Sequence, residues 1–213
     1  MNVKLQDLRS RKNYKVRIKM MQGHFVRCNS HVNTYIDLST IKCRYVHSRE
    51  AAKELAEPYL SSTDIDTIVC LDGMEVVGAF LAEILAGPGN IVKNRGKEIS
   101  VVTPEMNQLG QMMFRDNTKR MVANQKVLIL AGSLNTGKTM MQAVDTIDYY
   151  GGDVVGICAV FSAATKVAGM TIHALFTQKD IPDYQVYSPH DCTLCKAGTK
   201  IDAIVNNYGY SGL

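Results

Sequence analysis

Residues 127–160 constrain this chain more tightly than any other segment, because they read as a complete strand–loop–helix–strand unit. Val127-Leu-Ile-Leu-Ala131 is a short apolar run of strand length. It stops at Gly132-Ser-Leu-Asn-Thr-Gly137-Lys138-Thr139, a small, hydroxyl-rich segment that contains glycine. A helix follows over 138–150, with Met140, Met141, Val144 and Ile147 as its apolar stripe. Gly151-Gly152 ends the helix, and a second apolar strand covers 153–160. This order brings unpaired backbone amides, hydroxyls and the positive end of a helix dipole to one point. A phosphate is the natural occupant.

The same alternation extends along the chain. Asp66-Thr-Ile-Val-Cys-Leu71 reads as a buried strand, and Met74–Leu85 as a helix with Val77, Leu81, Ile84 and Leu85 at helical spacing, stopped by Gly87-Pro-Gly89. Ser48 is expected to cap a helix that runs to about Tyr59, with Ala52, Leu55 and Ala56 on one face. Weaker strands are expected over 99–102, 171–176 and 185–187. Residues 1–47 look irregular with short strands, 90–126 are polar and poorly periodic, and the tail is rich in loops. Strands alternating with helices predict an α/β fold, a mostly parallel central sheet flanked by helices.

Composition narrows the function classes. At 213 residues, 46% hydrophobic and 21% charged, the chain suits one generous globular domain. No window approaches the roughly 18 consecutive apolar residues of a membrane span. Met1-Asn-Val-Lys-Leu-Gln-Asp7 has no signal-peptide h-region, so a cytoplasmic location is expected. Six scattered cysteines suggest reduced thiols rather than a disulfide framework. The net charge of +4 agrees with an anionic ligand but is too small to argue for nucleic acid. The one basic cluster, Lys4, Arg9, Arg11, Lys12, Lys15, Arg17 and Lys19, ends in the alternating Lys15-Val-Arg-Ile-Lys19. A charged, solvated strand edge explains it better than a nucleic-acid surface.

Two protein classes write phosphate loops like this one. Gly132 to Thr139 satisfies G-x-x-x-x-G-K-[ST], in which Lys138 would reach terminal phosphates and Thr139 would hold Mg²⁺. An NTPase of that kind would need a permuted strand order, because the loop falls late in the chain. The same segment resembles the phosphoribosyl diphosphate motif of the type I phosphoribosyltransferases, with Asn135, Thr136, Gly137, Lys138 and Thr139 at the loop that holds the 5′-phosphate. More specifically, the chain resembles orotate phosphoribosyltransferases. Gly23-His-Phe-Val26 and Asn33-Thr-Tyr-Ile-Asp-Leu38 resemble their N-terminal hood, and Asp72-Gly73 lies at their diphosphate-binding turn. Cys192-Thr-Leu-Cys195-Lys-Ala-Gly198 resembles a Cys-Pro-Leu-Cys-x-x-Gly segment of one branch.

The resemblance implies a hood over 1–47, a phosphoribosyltransferase-like core over 48–190, and a tail over 191–213 packing on the core. It also implies transfer of ribose 5-phosphate from phosphoribosyl diphosphate to a pyrimidine base such as orotate, and a homodimer. The departures fall on the chemistry. Ala131 and Gly132 stand where the family has two carboxylates, so catalytic residues stay unassigned and the implied Mg²⁺ is weakened. Where the family has a lysine-rich mobile loop, this chain has Val102 to Asn117, with Arg115 its single basic residue. Asp72, Glu75 and Asp116 are candidates to return carboxylates to the site. Arg115 and Arg27 are candidate substrate contacts, and Phe114 to Asn117 a candidate ligand contact. The alternative on the same fold is a non-catalytic protein that senses a nucleoside 5′-monophosphate or phosphoribosyl diphosphate. Cys192-x-x-Cys195, with His190 nearby, could be half of a zinc site, but no second ligand pair lies nearby in sequence, so a turn with reduced thiols is the favoured reading and a reversible disulfide the next.

Overall fold

The computed structural model describes residues 5–89 and 91–213, so Lys4 of the basic cluster lies outside the described residues. The chain opens with β1 (Gln6–Arg9), β2 (Arg17–Arg27) and β3 (Ser30–Asp37), followed by α1 (Ser39–Cys43) and α2 (Tyr45–Ala56). β4 (Thr67–Cys70) and α3 (Glu75–Ala86) lead to shorter pieces, β5 (Ser100–Val102), β6 (Glu105–Met106), β7 (Met112–Met113) and α4 (Asp116–Lys119). β8 (Lys126–Leu134), α5 (Lys138–Tyr149) and β9 (Asp153–Ser162) form the central unit. β10 (Lys166–Val167), β11 (Met170–Thr177), β12 (Val186–Tyr187), α6 (Thr193–Lys196), β13 (Ala203–Asn206) and β14 (Gly209–Gly212) follow.

The core sheet has the order β10-β11-β9-β8-β4-β5. Its strands from β11 to β5 are parallel, and β10 is antiparallel to β11. Alternating side chains serve two faces. Ile68, Cys70, Leu128, Leu130, Cys158 and Val160 share one buried cluster with Leu55 of α2 and Val77 and Leu81 of α3. Val69, Ile129, Ala131, Ile157 and Ala159 share the other with Met140, Ala143 and Ile147 of α5. Burial on both faces is why these strands are continuous apolar runs, and the expected α/β class follows. At the N-terminal ends of the strands, Lys97 bridges Asp64 and Asp66 at 2.6 and 2.5 Å, and Lys126 reaches Asp64 at 2.8 Å.

A second, mixed sheet has the order β12-β3-β2-β13-β14, with β1 also paired to β2. Residues 1–47 were expected to be irregular with short strands, yet β2 and β3 form a long antiparallel hairpin. A register shift between Gln22 and Phe25 interrupts the alternation that would have revealed it. Of the basic cluster, Lys12 pairs with Glu57 at 2.6 Å, Arg17 with Asp7 at 3.5 Å and Arg11 with Asp180 at 3.7 Å. Ser48 does not cap a helix. The chain turns at Arg44, α2 starts at Tyr45, and the buried Ser48 hydroxyl donates to the Ile41 and Arg44 carbonyls. Among the described residues, no helix is long and apolar enough to cross a membrane.

Candidate phosphate-binding site

β8 runs past Ala131 to Leu134, paired with β9 at Ser133–Phe161 and Leu134–Ser162. Three residues of the G-x-x-x-x-G-K-[ST] string are therefore strand, and only Asn135–Gly137 form the turn. A Walker loop wraps phosphate with amides drawn from the whole octapeptide. Here the Gly132 and Ser133 amides already donate to the Asp72 carboxylate at 3.2 and 3.3 Å. The geometry does not support the NTPase reading.

What survives is the helix start. Gly137 sits at φ 76° and hands the chain to α5. A Cβ at that position would also meet Val167 at 3.1 Å, so glycine is required for both conformation and space. Asn135, Thr136 and Lys138 line a cavity of about 570 Å³, whose other wall is Cys28, Asn29 and residues 186–190. That volume suits a small-molecule ligand. Tyr184 donates its hydroxyl to Asn135 Oδ1 at 2.6 Å and so fixes the amide. Burial pushes the Tyr184 pKa up to about 12, which keeps it a protonated donor at neutral pH. Gly137 and Thr139 do not line this cavity.

Asp72 and Gly73 form a left-handed turn after β4, at φ 60° and 74°. Besides the two amides, Asp72 accepts from Asn207 Nδ2 at 2.5 Å, on the turn between β13 and β14. Lys42 of α1 donates to the Asn207 carbonyl at 2.8 Å. Burial lowers the Lys42 pKa, and the nearby Asp72 charge opposes that shift. Gly132 faces this group: a Cβ there would lie 3.1 Å from Asp72 Cβ and 3.3 Å from Leu38 Cδ1. Ala131 is fully buried in the apolar cluster with Val69, Leu71 and Val102. A carboxylate at 132 would need its neighbours to shift, and one at 131 would be desolvated.

Asp72, Gly73, Arg27 and Arg115 do not line the cavity. Arg27 ends β2 beside Cys28. Arg115 is held by Glu105 through two hydrogen bonds of 2.6 and 2.7 Å. Phe114 packs edge-on against Tyr150, and Asp116 opens α4 and pairs with Lys119 at 2.7 Å. Glu75 accepts from the Thr103 hydroxyl at 2.9 Å. The sequence reading missed Tyr184, Lys42, Asn207 and the 186–190 wall. No local signal marks them, since Tyr184 is 49 residues from Asn135 and Asn207 is 135 from Asp72. His24 and His31 draw notice in the sequence only through the hood-like segment, and the structure sets them against Cys192 and Cys195.

No protein-family model matches the chain. An orotate phosphoribosyltransferase of Chlorobium phaeobacteroides is 22% identical over 188 residues, covering 86% of this chain and 88% of the relative. The solved orotate phosphoribosyltransferase of Mycobacterium tuberculosis superposes with a TM-score of 0.50 at 20% identity, over 71% of this chain and 85% of that one. The adenine phosphoribosyltransferase of Thermoanaerobacter pseudethanolicus gives 0.52 at 16% identity, over 81% and 95%. Enzymes named for two different bases thus match to a similar degree, and what they share with this chain is the fold.

Proposed function

From a chain that has the phosphoribosyltransferase fold and is similar in sequence to orotate phosphoribosyltransferases, we propose a protein that grips a ribose 5′-phosphate at Asn135–Thr139. It transfers ribose 5-phosphate from phosphoribosyl diphosphate to a pyrimidine base such as orotate. The observation that carries the reading is the α5 N-terminus opening, through Thr136 and Lys138, onto the cavity. Its far wall, Cys28, Asn29 and 186–190, is the proposed base side. A homodimer belongs to the same proposal, checked by light scattering.

Among the described residues, the candidate carboxylates do not offer Mg²⁺ a site: Glu75 accepts from the Thr103 hydroxyl and Asp116 pairs with Lys119. Both Asp72 oxygens are engaged, by two amides and by Asn207. We assign the ion no step.

A second reading, binding without transfer, is favoured by one observation: Ala131 and Gly132 supply no carboxylates, and Asp72, Leu38 and Lys42 fill the space beside Gly132. Calorimetric titration with phosphoribosyl diphosphate, orotidine 5′-monophosphate and ATP, with and without Mg²⁺, separates the readings when paired with an assay of orotate consumption. Transfer predicts turnover. Tight nucleotide binding with no turnover would leave the sensing protein, and indifference to every ligand would remove both readings.

A further inference from the structure

Outside the phosphate site, four metal-ligating side chains converge from segments far apart in sequence. His24 of β2, His31 of β3, and Cys192 and Cys195 flanking the start of α6 each direct a ligand atom at a common point, all within 4.8 Å of one another. His24 Nε2 lies 3.1 Å from His31 Nδ1, 3.6 Å from Cys192 Sγ and 3.5 Å from Cys195 Sγ. Cys195 Sγ is 3.4 Å from His31 Nδ1. A tetrahedral Zn²⁺ with Zn–N of about 2.0 Å and Zn–S of about 2.3 Å spaces its ligands by about 3.3 Å for N–N and about 3.5 Å for S–N. These four separations match four of the six edges of that tetrahedron, and the other two pairs lie within 4.8 Å.

Local structure explains the convergence. His24 lies within the register shift of β2, where an irregular strand re-aims a side chain, and His31 starts β3 opposite Val26. Gly23 makes this fit: a Cβ there would strike Asp202 Oδ2 at 2.6 Å, the same oxygen that accepts the His24 N–H at 2.8 Å. The spacing of Cys192-x-x-Cys195 is that of half a zinc site. The orientation of His24 is also fixed. Its Nδ1 lies 2.9 Å from the Thr199 carbonyl, which can only accept, so Nδ1 carries the proton and Nε2 presents its lone pair to the cluster. His24 and Cys192 are buried, while Cys195 is exposed and leaves an entry path.

We propose that these four side chains form a structural Cys₂His₂ zinc site. It joins the β2–β3 hairpin to the segment that leads into β13. Cys28-Asn29 lies between the two histidines, and Pro189-His190 just precedes Cys192. The ion therefore braces the cavity wall opposite Asn135–Lys138, without touching a ligand there.

The test uses the full chain, made in zinc-supplemented medium and purified without a polyhistidine tag or chelator. About one tightly held zinc per chain is expected, and X-ray absorption should show a shell of two sulfurs and two nitrogens. Cobalt substitution should give the intense visible bands of a tetrahedral dithiolate site. The exposed Cys28 and Cys43 should react with a thiol reagent at once, and Cys192 and Cys195 only after the metal is stripped. Cys195→Ser and His31→Ala should each lose the zinc. Should either variant fail to fold, the wild-type absorption spectrum and thiol count still decide. Zinc far below one per chain, a metal shell without sulfur, or a Cys192–Cys195 disulfide in chains isolated under reducing conditions would overturn the site.

Discussion

In the core sheet, β8 reaches its neighbour β9 through α5 alone, and each strand buries apolar side chains on both faces. In the mixed sheet, β2 takes β3 from the adjacent segment but β13 from the far end of the chain. The contact between His24 and Asp202 spans 178 residues. The β8–α5–β9 unit closes a short loop and is repaid at once by burial. The mixed sheet must close a long loop before its pairing with β13 is gained. Beside its apolar contacts it is tied by specific polar ones: Asp202 to His24, Tyr184 to Asn135, and the histidine–cysteine cluster. The candidate cavity lies between the two kinds of construction, with the turn before α5 from the core and a facing wall from the far segments.

The largest expected effect comes from breaking the core. Leu130→Ala, at a fully buried position of β8, should cost about 2–5 kcal/mol in urea unfolding, with both sheets lost in one transition. Loss of the mixed sheet alone would show that the buried cluster in which Ile18, Phe25 and Val205 lie with Leu128 and Leu130 does not couple the two sheets. Asp202→Ala strips the acceptor from the His24 amide and should cost about 1–3 kcal/mol. Hydrogen exchange should rise in β2 and β13 but not in β8 and β9, and uniform exposure of all four would refute the contrast. Tyr184→Phe frees the Asn135 amide and should weaken nucleotide binding by about 0.5–1.5 kcal/mol, with little change in thermal midpoint.

The smallest effect is electrostatic and belongs to the core. Lys126 and Lys97 hold the Asp64 carboxyl down at about 2, below its ordinary 3.8. A depressed carboxylate stabilises the fold above its unfolded pKa and loses that contribution as pH falls from about 4 to about 2. The pairs are partly exposed, so about 1 kcal/mol or less is expected, diminished further by salt. An Asp64→Asn variant should flatten this part of a stability–pH curve, and an unchanged slope would show that other carboxylates set it.

Legibility in the sequence followed the same division. The β8–α5–β9 unit, β4 and α3 were readable because continuous apolar runs and helical spacing are local signals. Even there the strand end was misplaced: residues 132–134 look like loop by composition, and only pairing with Phe161 and Ser162 makes them strand. The β2–β3 hairpin was obscured by its irregular register and by the buried polar residues Ser30, His31 and Thr34 of β3. In the candidate site, Asn135, Thr136 and Lys138 were legible as a turn at a helix start, the feature on which the phosphate proposal rests. Their facing wall was not, because it is brought there by long-range closure.

The sequence by itself determined the parallel α/β core, the helix start at Lys138 behind Gly137, and the lack of carboxylates at Ala131 and Gly132. Each is written in the identity and spacing of neighbouring residues. Tertiary structure alone decided that Asp72 turns its carboxylate onto the Gly132 and Ser133 amides beneath Asn207. It alone gave Cys192 and Cys195 their partners in His24 and His31. Such contacts arise from chain closure over sixty residues or more, and no local pattern of polarity or propensity encodes which distant side chain will arrive.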